Sequence, residues 1–385
     1  MSAIGTIENL SAPARQGERR ISLLGLTSGS LGSLLREQGW EAFRAGQILR
    51  WIYREGVFDP MAMTDLPMAM RTCLAARFDA TLPEVVLQTG SQDTTRKFLF
   101  RLGDGQAVET VMIPASPSLY GSRADRLTLC VSSQVGCAYG CKFCASGLDG
   151  WKRNLSPEEI VGQVLACERL SGESISNIVF MGMGEPFANY ENLMTAIGIL
   201  NAPWGRTLGA RHMTVSTSGL VPRIRDFADQ PLQVRLAISL HGATDAVRGR
   251  IMPVNKRYPI AELFDACEYF ATRKKQRITF EYILISGVND SPDQARALAG
   301  HAARLRAKIN LIPYNVVDGL EWTRPPERDQ RIFLNILRDR GIPATLRIEK
   351  GHDIAAACGQ LRLRDLRKKS LCTTQGTGLS VKSDG

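Results

Sequence analysis

The sequence predicts an α/β protein built on a parallel sheet, preceded by a small helical module. Three observations predict it. Between residues 127 and 314, six strand-like runs alternate with helix-like runs, the rhythm of a parallel sheet with crossover helices. Residues 24–86 carry apolar residues at helical spacing instead. The composition, 44% hydrophobic and 22% charged over 385 residues, suits a chain of two or three domains at about 150 residues each. It excludes global disorder and the collagen-like and disulfide-scaffold classes.

Residues 1–21 read as a flexible tail with no apolar core of a secretory signal. No later stretch approaches the ~18 consecutive apolar residues of a membrane span, so the expectation is a cytoplasmic protein. A helical accessory domain follows over residues 22–90. In WEAFRAGQILRWIYREG, Ile48, Leu49, Ile52 and Tyr53 recur at three- and four-residue intervals, with Gly56 placed to end the helix. A β-rich connector spans 91–126, with RKFLFRL and AVETVMIP as strands and ASPSLYGSRAD as a polar loop. Over 127–362 the strand runs are LTLCVSS, SNIVFMG, HMTVSTS, VRLAISL, RITFEYIL and AKINLIPY. The first intervening helix has Ser156 as N-cap, Pro157 at N1, Glu159 closing a capping box and Gly172 beyond its end. Either a whole or partial barrel or a doubly wound sheet satisfies this pattern. In both, chemistry collects at the C-terminal ends of the strands. Residues 363–385 form a basic C-terminal tail.

Polar and unusual residues do collect there. After the first strand, Cys137, Cys141 and Cys144 stand in a C-x3-C-x2-C spacing with no fourth Cys or His close by. A closed zinc site wants four ligands and an ordinary iron–sulfur cluster four thiolates. Three leave one metal position open, unless a distant residue completes a zinc site or the thiols are plainly buried. The second strand ends in Met181-Gly182-Met183-Gly184-Glu185-Pro186, the third in Ser216-Thr217-Ser218-Gly219, the fourth in Ser239-Leu240-His241 and the sixth in Pro313-Tyr314-Asn315. Polar groups at four successive strand ends describe a lined pocket.

Lys and Arg exceed Asp and Glu by 48 to 38, a formal charge of +10. Residues 1–125 are neutral and the excess falls on the rest, as suits attraction to a polyanion such as nucleic acid or simply a solvated basic surface. The nine cysteines belong to a reducing compartment.

C-x3-C-x2-C after the first strand of a six-fold β/α unit resembles the radical S-adenosylmethionine (radical SAM) superfamily. The motifs CVSSQVGCAYGCKFCASG, RNLSPEEIVGQV, FMGMGEP, TVSTSG, AISLH, MPVNK, LIPYN and IAAACGQL, in that order, resemble its RlmN/Cfr family over about residues 22–362. The resemblance implies a partial (β/α)6 TIM-like radical SAM barrel with the N-terminal helical domain as RNA-binding accessory. It implies methylation of C2 of adenine 2503 in 23S rRNA and of adenine 37 in tRNA, with two S-adenosylmethionine molecules used in turn. Cys137, Cys141 and Cys144 would hold a [4Fe–4S] cluster. Gly184, Glu185, Ser216, Ser239, Leu240, His241 and Asn315 would hold S-adenosylmethionine. Cys358 would carry the methyl group, Cys130 would resolve the covalent adduct through a transient Cys130–Cys358 disulfide, and Glu109 would accept a proton. Implied partners are 23S rRNA, tRNA and an external electron donor such as flavodoxin or ferredoxin, with no membrane and a monomeric chain. Two rivals are a Cfr-type enzyme that methylates C8 of the same rRNA adenine, against which Pro186 speaks, and a zinc-stabilised RNA-binding protein without catalysis. The segment Ser91-Gln92-Asp93-Thr94-Thr95-Arg96-Lys97 lacks the glycine that the family's turn carries there.

Overall fold

The structure, a computed structural model, describes residues 20–91, 94–115, 126–148, 150–317 and 319–347. Cys358, the IAAACGQL motif, Cys372, the basic tail and nearly all of the N-terminal tail and the ASPSLYGSRAD loop lie outside the described residues. By compactness the chain divides into two units, and each has its own logic.

The first begins with β1 (Ile21–Ser22), then α1 (Ser28–Glu37), α2 (Arg44–Tyr53), α3 (Met68–Arg77) and β2 (Phe78–Asp79), which pairs in parallel with β1. The expected periodicity holds: Ile48, Leu49, Ile52 and Tyr53 are all buried along α2. The helix stops at Tyr53, and Gly56 takes a left-handed turn (φ +66°) just beyond. Thr27 and Ser30 form a reciprocal capping box that starts α1.

The strands of the second unit continue with β3 (Glu84–Gly90), β4 (Arg96–Arg101) and β5 (Ala107–Pro114), an antiparallel set that leads into β6 (Leu127–Cys130). A small hairpin of β7 (Gln134–Gly136) and β8 (Trp151–Asn154) brackets the short helix α4 (Ala145–Leu148). Then come α5 (Pro157–Ser171), β9 (Asn177–Phe180), α6 (Tyr190–Asn201), β10 (Met213–Thr217), α7 (Val221–Asp229), β11 (Arg235–Ser239), α8 (Asp245–Ile251), α9 (Ile260–Lys274), β12 (Thr279–Leu284), α10 (Pro292–Leu305), β13 (Lys308–Pro313), α11 (Glu327–Asp339) and β14 (Ala344–Leu346). Ser156, Pro157, Glu159 and Gly172 delimit α5 as the sequence predicts, with Gly172 left-handed at the C-cap. Helices α5 and α6 belong to the first unit, whose members are residues up to Pro83, Leu155–Ile175 and Glu191–Ala210. Within it the Tyr53 ring meets Trp204 edge-on at 6.3 Å. A Cβ on Gly25 would lie 2.6 Å from the Glu158 carboxylate and 3.1 Å from its backbone nitrogen, so the two segments approach closely there.

The ten-stranded sheet runs β14-β13-β12-β11-β10-β9-β6-β5-β4-β3. From β6 to β14 the seven strands are parallel and strictly sequential. A doubly wound sheet reverses its order at a switch point; this one never does, so it is an open barrel-like winding. One parallel strand, β14, extends the six expected. Alternation gives the sheet two unlike faces. Phe280 and Tyr282 lie buried against Phe264 of α9 and Phe333 of α11, with ring centroids 5.4 Å apart in each pair. The opposite face carries Ser216, Ser239, Glu281 and Asn310. Among the described residues no helix is long and apolar enough to cross a membrane.

Candidate active site

A cavity of ≈ 360 Å³ lies at the C-terminal ends of the parallel strands, and the polar face of the sheet supplies its wall. Cys130, Cys137, Cys141, Cys144, Gly184, Glu185, Ser216, Ser239, His241 and Asn315 all line it. Two other expected residues do not. Leu240 is fully buried and contributes its backbone N–H to the Glu281 carbonyl. Glu109 lies on β5, buried in an ion pair with Lys97 at 2.7 Å. It is two residues from Val111, a cavity residue directly opposite both Lys97 and Cys130.

The cysteine loop is fixed at several points. Gly136 opens it with φ +73°, where a Cβ would overlap the Gly150 carbonyl oxygen, and the Cys137 N–H donates to that same carbonyl. Lys142 N–H donates to Ile251 at 2.9 Å. Phe143 inserts among Ala145, Ile285, Tyr314 and Val317 and meets the His241 ring edge-on at 4.9 Å. Burial pushes the Cys137 thiol up to about 12 and Cys141 well above its ordinary value, with mutual repulsion among the three sulfurs adding to it. For Cys137 and Cys141 burial thus favours the thiol, with Arg248 opposing it at Cys141.

The glycines of Met181-Gly182-Met183-Gly184 make room for neighbouring backbone and side chains. A Cβ on Gly182 would sit 2.8 Å from Ser132, and one on Gly184 (φ +99°) 2.5 Å from Gln134. The missing side chains admit neighbouring protein. Gln134 in turn accepts from the Glu185 N–H at 2.8 Å and donates to Asn154 at 2.7 Å. The Glu185 carboxylate is likewise occupied: it accepts from the N–H groups of Ser218 at 2.7 Å and Phe187 at 3.0 Å. Burial raises its proton affinity, and these donors oppose the shift.

His241 holds a left-handed backbone (φ +55°) rare for a non-glycine residue. It is maintained from both ends: its carbonyl accepts from Asn289 at 2.7 Å and its Nδ1 accepts from the Ile283 N–H at 3.0 Å. Burial, with Arg248 adding to it, lowers the imidazole to about 3. The ring is therefore neutral with its proton on Nε2, a donor. Strain held in place by such contacts gathers at functional sites.

Sequence reasoning missed several residues. Arg248, fully buried, donates to the Ser218 carbonyl at 2.5 Å and to Asn255 at 2.7 Å, which explains the asparagine of MPVNK. Asn289 clamps the His241 turn. Lys97 and Glu281 are buried charges on strands. Glu281 alone left a legible signal, a carboxylate at an alternating position in RITFEYIL; the others act through partners distant in sequence.

Residues 131–299 match the Radical SAM superfamily, and residues 21–79 match the ribosomal RNA large subunit methyltransferase N-terminal domain. The chain is 52% identical to a probable dual-specificity RNA methyltransferase RlmN of Akkermansia muciniphila, over 89% of this chain and 96% of that protein. It is 51% identical to a probable dual-specificity RNA methyltransferase RlmN 3 of Opitutus terrae, over 92% and 98%. Among solved structures, a radical SAM methyltransferase from Sphaerobacter thermophilus superposes with a TM-score of 0.82 at 46% identity, covering 88% of this chain and 98% of that one. The chain belongs to the RlmN family of radical SAM RNA methyltransferases.

Proposed function

We propose that this enzyme methylates C2 of adenine 2503 in 23S rRNA and of adenine 37 in tRNA, using one S-adenosylmethionine as methyl donor and a second as radical source. The observation that carries the reading is convergence: three loop cysteines, Cys130 and the polar ends of four strands face one cavity.

The donor set fits a [4Fe–4S] cluster. Among the described residues no three His, Cys, Asp or Glu groups converge on the position of a single ion. In a cluster each thiolate binds its own iron, so Cys137, Cys141 and Cys144 need only surround it. Its charge would favour the thiolates against the burial that raises Cys137 and Cys141. When bound, such a cluster supplies the electron that splits S-adenosylmethionine reductively.

The chain's residues do the rest. Ser216, Ser239, His241 and Asn315 offer hydroxyl, imidazole Nε2–H and amide groups to S-adenosylmethionine, with Gly184, Glu185 and Leu240 shaping the wall. Cys358 takes the methyl group of the first S-adenosylmethionine as a thiolate nucleophile, releasing S-adenosylhomocysteine. Its S-methyl group would then give up one hydrogen atom to the 5′-deoxyadenosyl radical of the second, and the methylene carbon left on sulfur is presented to adenine. Adenine C2 is electron-poor and resists polar methylation, so a carbon radical is the workable attacker. The Cys130 thiolate then attacks the Cys358 sulfur, freeing the methylated base and leaving a Cys130–Cys358 disulfide. Glu109, paired with Lys97 on β5 two residues from the cavity residue Val111, is the acceptor of the proton that leaves adenine C2, and an external flavodoxin- or ferredoxin-like donor restores the thiols. The setting is the cytoplasm, and the working form is a monomer.

Mass spectrometry of rRNA and tRNA from cells with and without the protein tests this: 2-methyladenosine should vanish with it. An 8-methyl product would move the reading to C8 chemistry. Zinc in place of iron and sulfide in anaerobically purified protein would end it.

A further inference from the structure

Glu281 is a cavity residue that neither its family's motifs nor the mechanism above employs. It stands in the middle of β12, 5% exposed, on the polar face of the sheet. Register puts it directly beside Ser239 of β11 on one side and Asn310 of β13 on the other. Ser239 shares a hydrogen bond of 3.2 Å with Ser216 of β10, and Asn310 Nδ2 donates to Glu281 Oε1 at 3.1 Å. Ser239, Glu281 and Asn310 thus form one row across three strands. Ser216 reaches it by its hydrogen bond to Ser239 from a register position level with Ala237, and Ser216, Ser239 and Glu281 line the cavity.

A carboxylate accepts about four hydrogen bonds. Among the described residues Asn310 is the only side-chain donor to this one. Burial disfavours its ionised form, and the charge of Arg347, another cavity residue, opposes that penalty. A buried carboxylate with open lone pairs is costly unless something donates to it. The group that matches is a vicinal diol, whose two hydroxyls can donate to a carboxylate side by side; acidic residues hold the ribose of dinucleotides in the same manner.

We propose that Glu281 is the residue that holds the ribose diol of S-adenosylmethionine, with Ser239 as its neighbour on the same row and Asn310 as its positioning partner. The assignment rests on the functional reading above. RNA offers no rival diol within its strand, because its internal 3′ oxygens are esterified.

The test is equilibrium binding of S-adenosylmethionine to the full-length protein, without turnover. Glu281→Gln keeps the size and the contact to Asn310 but removes the charge, and should weaken binding about tenfold, the worth of a charge-assisted hydrogen bond. An analogue lacking the ribose 2′- and 3′-hydroxyls should bind the wild type about tenfold more weakly and bind Glu281→Gln no worse than that. The analogue arm needs no variant, so it stands even if substitution harms folding. Wild-type indifference to the two hydroxyls overturns the proposal. So does an equal loss for cofactor and analogue in a folded Glu281→Gln, which would mark a merely structural role. A wild type that binds no S-adenosylmethionine at all sinks the functional reading as well, and with it this assignment.

Discussion

Lys97 and Glu109 are 0% and 1% exposed and form an ion pair at 2.7 Å, so each neutralises part of the other's buried charge. Removing one partner of such a pair leaves an uncompensated charge and costs about 3–5 kcal/mol. Lys97→Met should show that loss in urea unfolding, and Lys97→Met with Glu109→Gln should recover most of it; a single variant as stable as wild type would contradict the pairing. His241 makes a pH prediction. Its folded value, about 3, lies below its ordinary 6.5, so the unfolded chain binds the extra proton. Its contribution is therefore intact above about pH 6.5 and declines as the pH falls toward 3. His241→Asn keeps an acceptor for the Ile283 N–H and tolerates the positive φ. It should flatten that part of the urea-midpoint profile. Cys130 supplies the third case. Cys130→Ala should leave RNA joined covalently through Cys358, seen as a shifted band on a denaturing gel and mapped by peptide analysis. Free, fully methylated RNA from that variant would refute the resolving role, as would a mere loss of packing stability.

Among the elements, the turn between β3 and β4 carries a measurable strain. Thr94 holds φ +64° in this glycine-free turn, a conformation that costs a side-chain-bearing residue about 1–2 kcal/mol. Thr94→Gly should raise stability by about 1 kcal/mol in chemical denaturation, after the entropic cost of glycine in the unfolded chain is subtracted; a loss would mean that the threonine side chain has a compensating contact. The long elements were legible in the sequence because their periodicity is local. All six strand runs of the parallel sheet and the α5 capping box were read from spacing alone. The strands that escaped are β1, β2, β7, β8 and β14, of two to four residues, and β3, whose apolar residues do not alternate cleanly. Strands so short are specified by their partners. Strand ends likewise exposed most of the site, whereas Arg248 and Asn289 act on segments tens of residues away and carry no local pattern.

For the whole molecule, the family's N-terminal domain match ends at residue 79, yet the compact unit it begins also takes in Leu155–Ile175 and Glu191–Ala210. The Gly162 Cα sits where an added Cβ would be 3.0 Å from Pro83, and Ile160, Val161, Val164 and Leu165 of α5 are buried. A chain starting at residue 84 should therefore expose the apolar side of α5 and aggregate or bind a hydrophobic dye. A soluble, monomeric and cooperatively unfolding truncation would show that α5 and α6 need no N-terminal cover.

The chain passes between its two units five times before Arg211, and this has a consequence for its birth on the ribosome. Synthesis runs at about 5–20 residues per second. The first 83 residues therefore leave the exit tunnel several seconds, up to about 25, before Asn201 completes α6. For that interval the buried stripe of α2 has only part of its eventual packing. The nascent protein is then an open clasp waiting for its second half, the period in which a holding chaperone would be of most use.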